Sequence, residues 1–190
     1  MAEETPWNKL FVDIIGPYKI RRKGKESLIL KSVTIIYPVN GWFEVTQYRD
    51  KKPMTITNLV ETTWLVRYPW TVEITYDRGG EFLGRKFKNS LIGNKYGIKN
   101  NPASPGNPQV NAIIEGIQQV LGNLLRTYNL QETYLYYSDP WMGILAAAAF
   151  AVCSTYHTNK VKVPGLLVFG QDMILPINHI ENWRYICQRR

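Results

Sequence analysis

The sequence predicts an α/β domain in which helices flank a mixed sheet on both faces. Three observations carry this expectation. First, Lys9 to Ile15 reads as a strand with Leu10, Val12 and Ile14 on one face and Phe11 and Ile15 on the other. Apolar residues on both faces mark a central strand covered on both sides. Second, the segments run as three strands, helix, strand, helix, strand and then helices, an order that suits a mixed sheet with helical layers. Third, the chain has 190 residues, 45% of them hydrophobic, enough for one domain with its own core and too apolar for a disordered tail.

The elements follow in order. Gly16-Pro17 is expected to stop the first strand. A basic turn around Lys23-Gly24-Lys25 leads to a second strand, Ser27 to Ile36. Pro38-Val39-Asn40-Gly41 reads as a hairpin turn into a third strand, Trp42 to Gln47. Pro53 to Tyr68 is a helix with proline in its first turn. Thr71 to Tyr76 is a fourth strand, Glu81 to Tyr96 a second helix and Ile98 to Asn101 a short fifth strand. Residues 101 to 108 hold three prolines and a glycine and form a loop. A long amphipathic helix, Gln109 to Tyr128, comes next, followed by an alanine-rich helix, Trp141 to Thr158.

Lysine and arginine total 23 against 15 aspartates and glutamates, a formal charge of +8 that suits a polyanionic partner such as nucleic acid. The basic residues gather at Arg21 to Lys25, Lys51-Lys52, Arg85 to Lys88 and Arg189-Arg190, and each run taken alone is more often a solvated loop than a contact site. Six Trp and twelve Tyr fill a core or offer surfaces that stack on bases. Two cysteines, Cys153 and Cys187, make neither a disulfide framework nor a zinc cluster and are expected as free thiols. His157 and His179 lack partners at zinc-ligand spacing. The acidic N-terminus has no apolar signal region, and the stretch Gly143 to Val152 is too short to span a bilayer, so a soluble, intracellular chain with no membrane association is expected.

Three carboxylates stand out. Asp13 lies within the apolar strand Phe-Val-Asp-Ile-Ile, where an ionised group needs a cation or donors. Backbone or a lysine could supply these, and so could a metal ion. Asp77 follows the fourth strand and precedes Arg78-Gly79-Gly80-Glu81. It reads either as a turn residue capping the next helix or as a group at the strand's carboxyl end, where open α/β sheets bind ligands. Glu81 reads as a first-turn helix acid. Glu115 lies roughly 140° from the centre of the stripe Val110, Ile113, Ile114, Ile117, Leu121, Leu124 and Tyr128, with Asn111, Gln118 and Arg126 on its side of the helix. Alone it is a solvated glutamate. Together, two strand aspartates and one helix glutamate could converge at one sheet edge, and three hard oxygen ligands suit Mg²⁺ or Mn²⁺. Two such ions serve in-line displacement at phosphorus.

These residues sit in segments that resemble the catalytic core of integrases from gypsy-type LTR retrotransposons, relatives of the retroviral enzymes. Trp7 to Tyr18 is similar to the family's first motif, Tyr76-Asp77-Arg78-Gly79-Gly80-Glu81-Phe82 to its second, and Asn101 to Glu115 to its third. There are 37 residues between Asp77 and Glu115, close to the family's spacing. Pro164 to Gly170 resembles the element that closes the core. The resemblance runs from about Trp7 to about Asn178. It implies a ribonuclease H-like fold with a five-stranded mixed sheet, and a core over residues 5–178 followed by a C-terminal extension, 179–190. It implies Asp13, Asp77 and Glu115 as catalytic and metal-binding residues with two Mg²⁺ or Mn²⁺ ions. Asn111, Gln118, Arg126 and Lys86 are the expected nucleic-acid contacts. The implied activity is trimming of element DNA 3′ ends and their transfer into target DNA, by a homodimer or higher oligomer acting in the nucleus.

The chain departs from that pattern in places. The family's N-terminal zinc module and C-terminal DNA- or chromatin-binding module are not in this sequence, which suggests a core fragment or remnant. Gly116 stands where relatives usually have Arg, and Tyr37 and Asn40 stand where they often have Asp and Thr. Val163 replaces a capping Ser before Pro164 and cannot cap a helix. The triad is spared, but these changes leave open a catalytically silent domain that keeps the fold and binds DNA or a protein. A cut-and-paste transposase or a ribonuclease H-like nuclease would use the same carboxylates.

Overall fold

A computed structural model describes residues 6–22, 25–48, 53–76, 82, 96–102, 116, 119–120, 122–123, 140–155 and 163–173. Five strands, β1 (Lys9–Arg22), β2 (Lys25–Tyr37), β3 (Trp42–Gln47), β4 (Glu73–Tyr76) and β5 (Lys99–Pro102), form one sheet in the order β3-β2-β1-β4-β5. β1 is central, as its two apolar faces require: Leu10 and Val12 are buried on one side, Phe11 and Ile15 on the other. β1, β2 and β3 pair antiparallel through hairpins, whereas β4 and β5 join parallel to β1, so the sheet is mixed.

Gly16-Pro17 does not end the first strand. The chain passes through it with a register shift between Ile15 and Tyr18 and pairs with β2 again as far as Arg22. Here the glycine supplies the special geometry of a β-bulge instead of a stop. Gly16 has φ +105°, and a Cβ on it would stand 2.7 Å from the Leu30 carbonyl oxygen. The bulge leaves Tyr18 opposite Leu30 and keeps the apolar positions of both strands paired.

The first helix is also shorter than its pattern suggests. α1 (Pro53–Val60) runs into a π-helical turn, Glu61–Leu65, and stops there. The wider turn buries Thr63, Trp64 and Leu65 together, and Trp64 then packs against Tyr68 and Trp7. α2 (Pro140–Ser154) buries Trp141, Ile144, Leu145, Ala148, Val152 and Cys153, a spacing that puts them on one helical stripe against the sheet. The Trp141 indole donates to the Lys31 carbonyl at 3.2 Å, which ties this helix to β2. α3 (Pro164–Phe169) has proline in its first turn, starts at an uncapped Val163 and ends at Gly170 in the left-handed conformation, φ 70°. Gly116, Gln119, Val120, Gly122 and Asn123 are helical, as expected for the segment from Gln109 to Tyr128. The predicted Glu81 to Tyr96 helix lies almost wholly outside the described residues. Among the described residues no helix is long and apolar enough to cross a membrane.

Candidate active site at the carboxyl ends of the central strands

Asp13 sits in the middle of the central strand, half-buried, paired on one side with Thr34 of β2. On its other side β1 and β4 run parallel, with Lys9 beside Glu73, Leu10 beside Ile74, Phe11 beside Thr75 and Val12 beside Tyr76. Tyr76 is the last residue of β4, and Asp77 follows it in the sequence as Asp13 follows Val12. β5 continues the same rungs and ends at Pro102 beside Tyr76. Asp13 therefore lies one residue past the rung at which β4 and β5 end, at the carboxyl edge where parallel strands gather ligands.

Strand alternation places Phe11, Asp13 and Ile15 on one face, together with their partners Thr34 and Ser32 of β2 and Glu73 and Thr75 of β4. Further down this face, a polar clamp fixes the rungs. Glu73 forms an ion pair with Lys9 at 3.2 Å and accepts a hydrogen bond from the Asn101 amide at 2.6 Å. One carboxylate thus ties β1, β4 and β5 together, on the Lys9 rung four residues before Asp13. Burial pushes the Glu73 carboxyl upward, but Asn101 and Lys9 outweigh it and hold it below the usual glutamate range. The clamp was not legible as such in the sequence; strand alternation with a known register would have found it.

Thr34 is the other residue that sequence reasoning missed. It is 1% exposed, and its hydroxyl donates to the Asp13 carbonyl oxygen at 3.2 Å. It reads in the sequence as an ordinary β-branched strand residue, and only the hairpin register brings it opposite Asp13.

Of the predicted site residues, Asp13 is described. Asp77, Glu115, Lys86, Asn111, Gln118 and Arg126 lie outside the described residues, as does Cys187. Among the described residues no three of His, Cys, Asp and Glu come together as a metal-holding group. Asp13 is a hard oxygen donor on the sheet face and is chemically suited to Mg²⁺ or Mn²⁺. Gly116 is exposed, and a Cβ there would meet nothing within 4 Å.

Tyr37, one of the departures from the family pattern, does not share the face of Asp13. Tyr37 is three residues past Thr34, so its side chain is on the opposite face from Asp13. It stacks on Trp7, with ring centroids 4.7 Å apart, and its hydroxyl accepts the Trp7 backbone N–H at 2.9 Å. Asn40 likewise serves the hairpin turn, its side-chain oxygen accepting the Trp42 N–H at 2.8 Å. Both departures from the family pattern thus have local structural work.

Among the described residues the aromatics are largely core. Trp42, Trp64 and Trp141 are buried, and Trp7, Tyr37, Trp64 and Tyr68 form a contiguous ring cluster. Within it the Tyr68 hydroxyl donates to Glu44, and burial followed by that carboxylate pushes its pKa far up. Cys153 is a buried free thiol, as expected, with its pKa pushed up to about 12 by burial.

No family model matches the chain, and no curated protein matches it. Solved structures do. A simian T-cell lymphotropic virus intasome, in complex with the PP2A regulatory subunit B56 gamma, superposes with a TM-score of 0.66 at 16% identity over 90% of this chain. This chain spans 57% of that one. The HTLV-2 integrase catalytic core domain in complex with magnesium matches with a TM-score of 0.59 at 17% identity, covering 84% of this chain and 95% of that domain. The BIV integrase catalytic core matches with a TM-score of 0.54 at 11% identity, covering 83% and 91%. The chain has the ribonuclease H-like fold of retroviral integrase catalytic cores.

Proposed function

We propose that this chain is the catalytic core of a retroelement integrase of the gypsy type, which trims element DNA 3′ ends and transfers them into target DNA. The observation that carries the proposal is the register. Val12 and Tyr76 form a rung between adjacent parallel strands, and Asp13 and Asp77 come next in the sequence after each, which supports reading them as two carboxylates of one site. Glu115 on the following helix is the third. The +8 charge suits a DNA partner, and the structural likeness to an integrase core solved in complex with magnesium supports the same donor chemistry.

In this reading Asp13, Asp77 and Glu115 would hold two divalent cations, Mg²⁺ or Mn²⁺. Bound there, the ions would supply charge stabilisation and activation for in-line displacement at a phosphodiester. The protein's part is to keep the carboxylates in place. The central strand carries Asp13, the Thr34 hydroxyl bonds its carbonyl, and the Glu73 clamp ties β1, β4 and β5 together four residues earlier. Lys86, Asn111, Gln118 and Arg126 are proposed DNA contacts, the acting form is a homodimer or higher oligomer, and the site of action is the nucleus.

The test is strand transfer on oligonucleotides carrying element-end DNA, in Mg²⁺ and in Mn²⁺, for the wild type, Asp13→Asn and Asp77→Asn. Each substitution is expected to lower product formation by more than about 100-fold, beyond what losing a group that only supports a ligand costs. Joining that survives in both variants would falsify the assignment. A second reading is a silent DNA- or protein-binding domain. It draws on Gly116, an exposed helical glycine for which no packing contact calls. Salt-sensitive DNA binding with no turnover in either metal would select it. Cleavage of RNA–DNA hybrid or hairpin substrates in preference to element ends would select a nuclease or transposase.

A further inference from the structure

We infer that the far end of the β1–β2 hairpin, residues 18–30, is a contact for DNA phosphates, an inference that rests on the proposed DNA-acting reading of the chain. Charge is concentrated there. Between Tyr18 and Leu30 five residues are basic, Lys19, Arg21, Arg22, Lys23 and Lys25, and one, Glu26, is acidic. This stretch holds a net +4 of the chain's formal +8. A basic run is ordinarily a solvated loop. This one belongs to a ladder: past the register shift after Ile15, Tyr18 pairs with Leu30, Lys19 with Ile29, Ile20 with Leu28 and Arg22 with Lys25. Cross-strand partners stand about 5 Å apart, and two cations on one rung repel. The Arg22–Lys25 rung therefore disfavours the free protein, and an anion set against it offsets the repulsion.

Packing fixes the base of this arm. Tyr18 and Leu30 share one face: Leu30 is buried, and Tyr18 lies against Trp141 of α2 with ring centroids 6.1 Å apart. The Trp141 indole donates to the Lys31 carbonyl at 3.2 Å and holds the helix on the strand just past Leu30. At the next rung the opposite face meets solvent: Lys19 is exposed, and Ile29 beside it is 64% exposed. The arm also continues from the strand of the proposed site. β1 carries Asp13 and then passes through the Gly16 bulge into the arm, so Arg22 lies nine residues beyond Asp13. At roughly 3.3 Å per residue that is at most about 30 Å, the length of about nine base pairs of duplex. DNA held at Asp13 can thus reach the arm. Backbone phosphates are the matching anion, because they repeat along the duplex and neutralise cations whatever the sequence.

Arg22→Gln with Lys25→Gln removes the two charges of the rung, and Lys51→Gln with Lys52→Gln removes two from another basic run. The measurement is equilibrium binding of the whole chain to a short DNA duplex of arbitrary sequence over a salt series, beside urea unfolding without DNA. For the arm variant the slope of log affinity against log salt is expected to fall in magnitude by about 2, with affinity about 10- to 100-fold lower at low salt. Its unfolding midpoint is expected at or above the wild-type value, because the like-charged rung is gone. The Lys51 and Lys52 variant is expected to lose less than about threefold, the effect of a screened change in net charge. If both variants lose affinity equally, net charge carries the binding and the arm's role is overturned. An arm variant that binds like the wild type overturns it too, and leaves the integrase reading standing. So does an unfolding midpoint that drops together with the affinity, which would assign the pair to the fold. If the wild type itself binds no duplex at low salt, the DNA reading falls and the arm's role falls with it.

Discussion

At Gly16 the backbone conformation and the space around it impose the same demand. With φ +105° an L side chain is strained wherever it sits, and the Cβ would lie 2.7 Å from a backbone oxygen that cannot swing aside. Gly16→Ala is therefore expected to destabilise the fold by about 2 kcal/mol or more, read as a lower urea midpoint with an unchanged slope. A midpoint within error of the wild type would mean that β1 and β2 relax around the bulge. Asp13 was legible at this scale because an acid among Phe11, Val12, Ile14 and Ile15 is conspicuous. Thr34 was not, because nothing distinguishes it from its neighbours until it is paired. A signal did exist. Arg22 pairs with Lys25, and counting back along both arms reaches Asp13 opposite Thr34, since the two register shifts cancel. The bulge hid that arithmetic.

Among the elements, those set by side-chain alternation agreed with the sequence, and those set by backbone exceptions did not. β2, β3 and the turn between them fall within a residue or two of the pattern. β1 overran its expected end because Gly16-Pro17 makes a bulge with a partner strand beside it, and partner strands are invisible to a local reading. The first helix ended early because a π-helical turn lets Trp64 reach the aromatic cluster, a tertiary gain that overrides periodicity. α3 followed its sequence closely: Val163 has the extended backbone of an N-cap, φ −82° and ψ 131°, and makes no side-chain capping bond. Serine fits that backbone and can reach the unsatisfied amides. Val163→Ser is expected to add about 1 kcal/mol, which raises the melting temperature by about 2–4 °C in a chain of this size. A lower melting temperature would show that the Val163 side chain contributes more by packing than the cap can return.

At the scale of the molecule, titrating groups among the described residues act on opposite limbs of the dependence of stability on pH. Glu73 is held below its ordinary value of 4.5, so its clamp contributes stability above that value and loses it as pH falls through the lower folded pKa. Cys153 goes the other way. Its thiol is raised from 9.0 to about 12 by burial, with the nearby Glu44 charge adding to the rise. Below pH 9 both folded and unfolded forms hold the proton, and this group leaves stability flat. Between pH 9 and 12 the unfolded chain releases a proton that the folded chain retains, so stability falls by about 1.4 kcal/mol per pH unit for this group. Tyr68, raised by burial and by Glu44, adds to the same limb above pH 10. The expected profile is a plateau from about pH 5 to 9, a shallow acid limb and a steeper alkaline one. Urea unfolding at intervals from pH 8 to 10 tests it, with Cys153→Ala as the comparison. Truncation lowers the whole curve, but the slope between pH 9 and 10 should flatten. An unchanged slope would show that Cys153 ionises freely in the folded chain, and that the seam between α2 and β3 where it lies admits water.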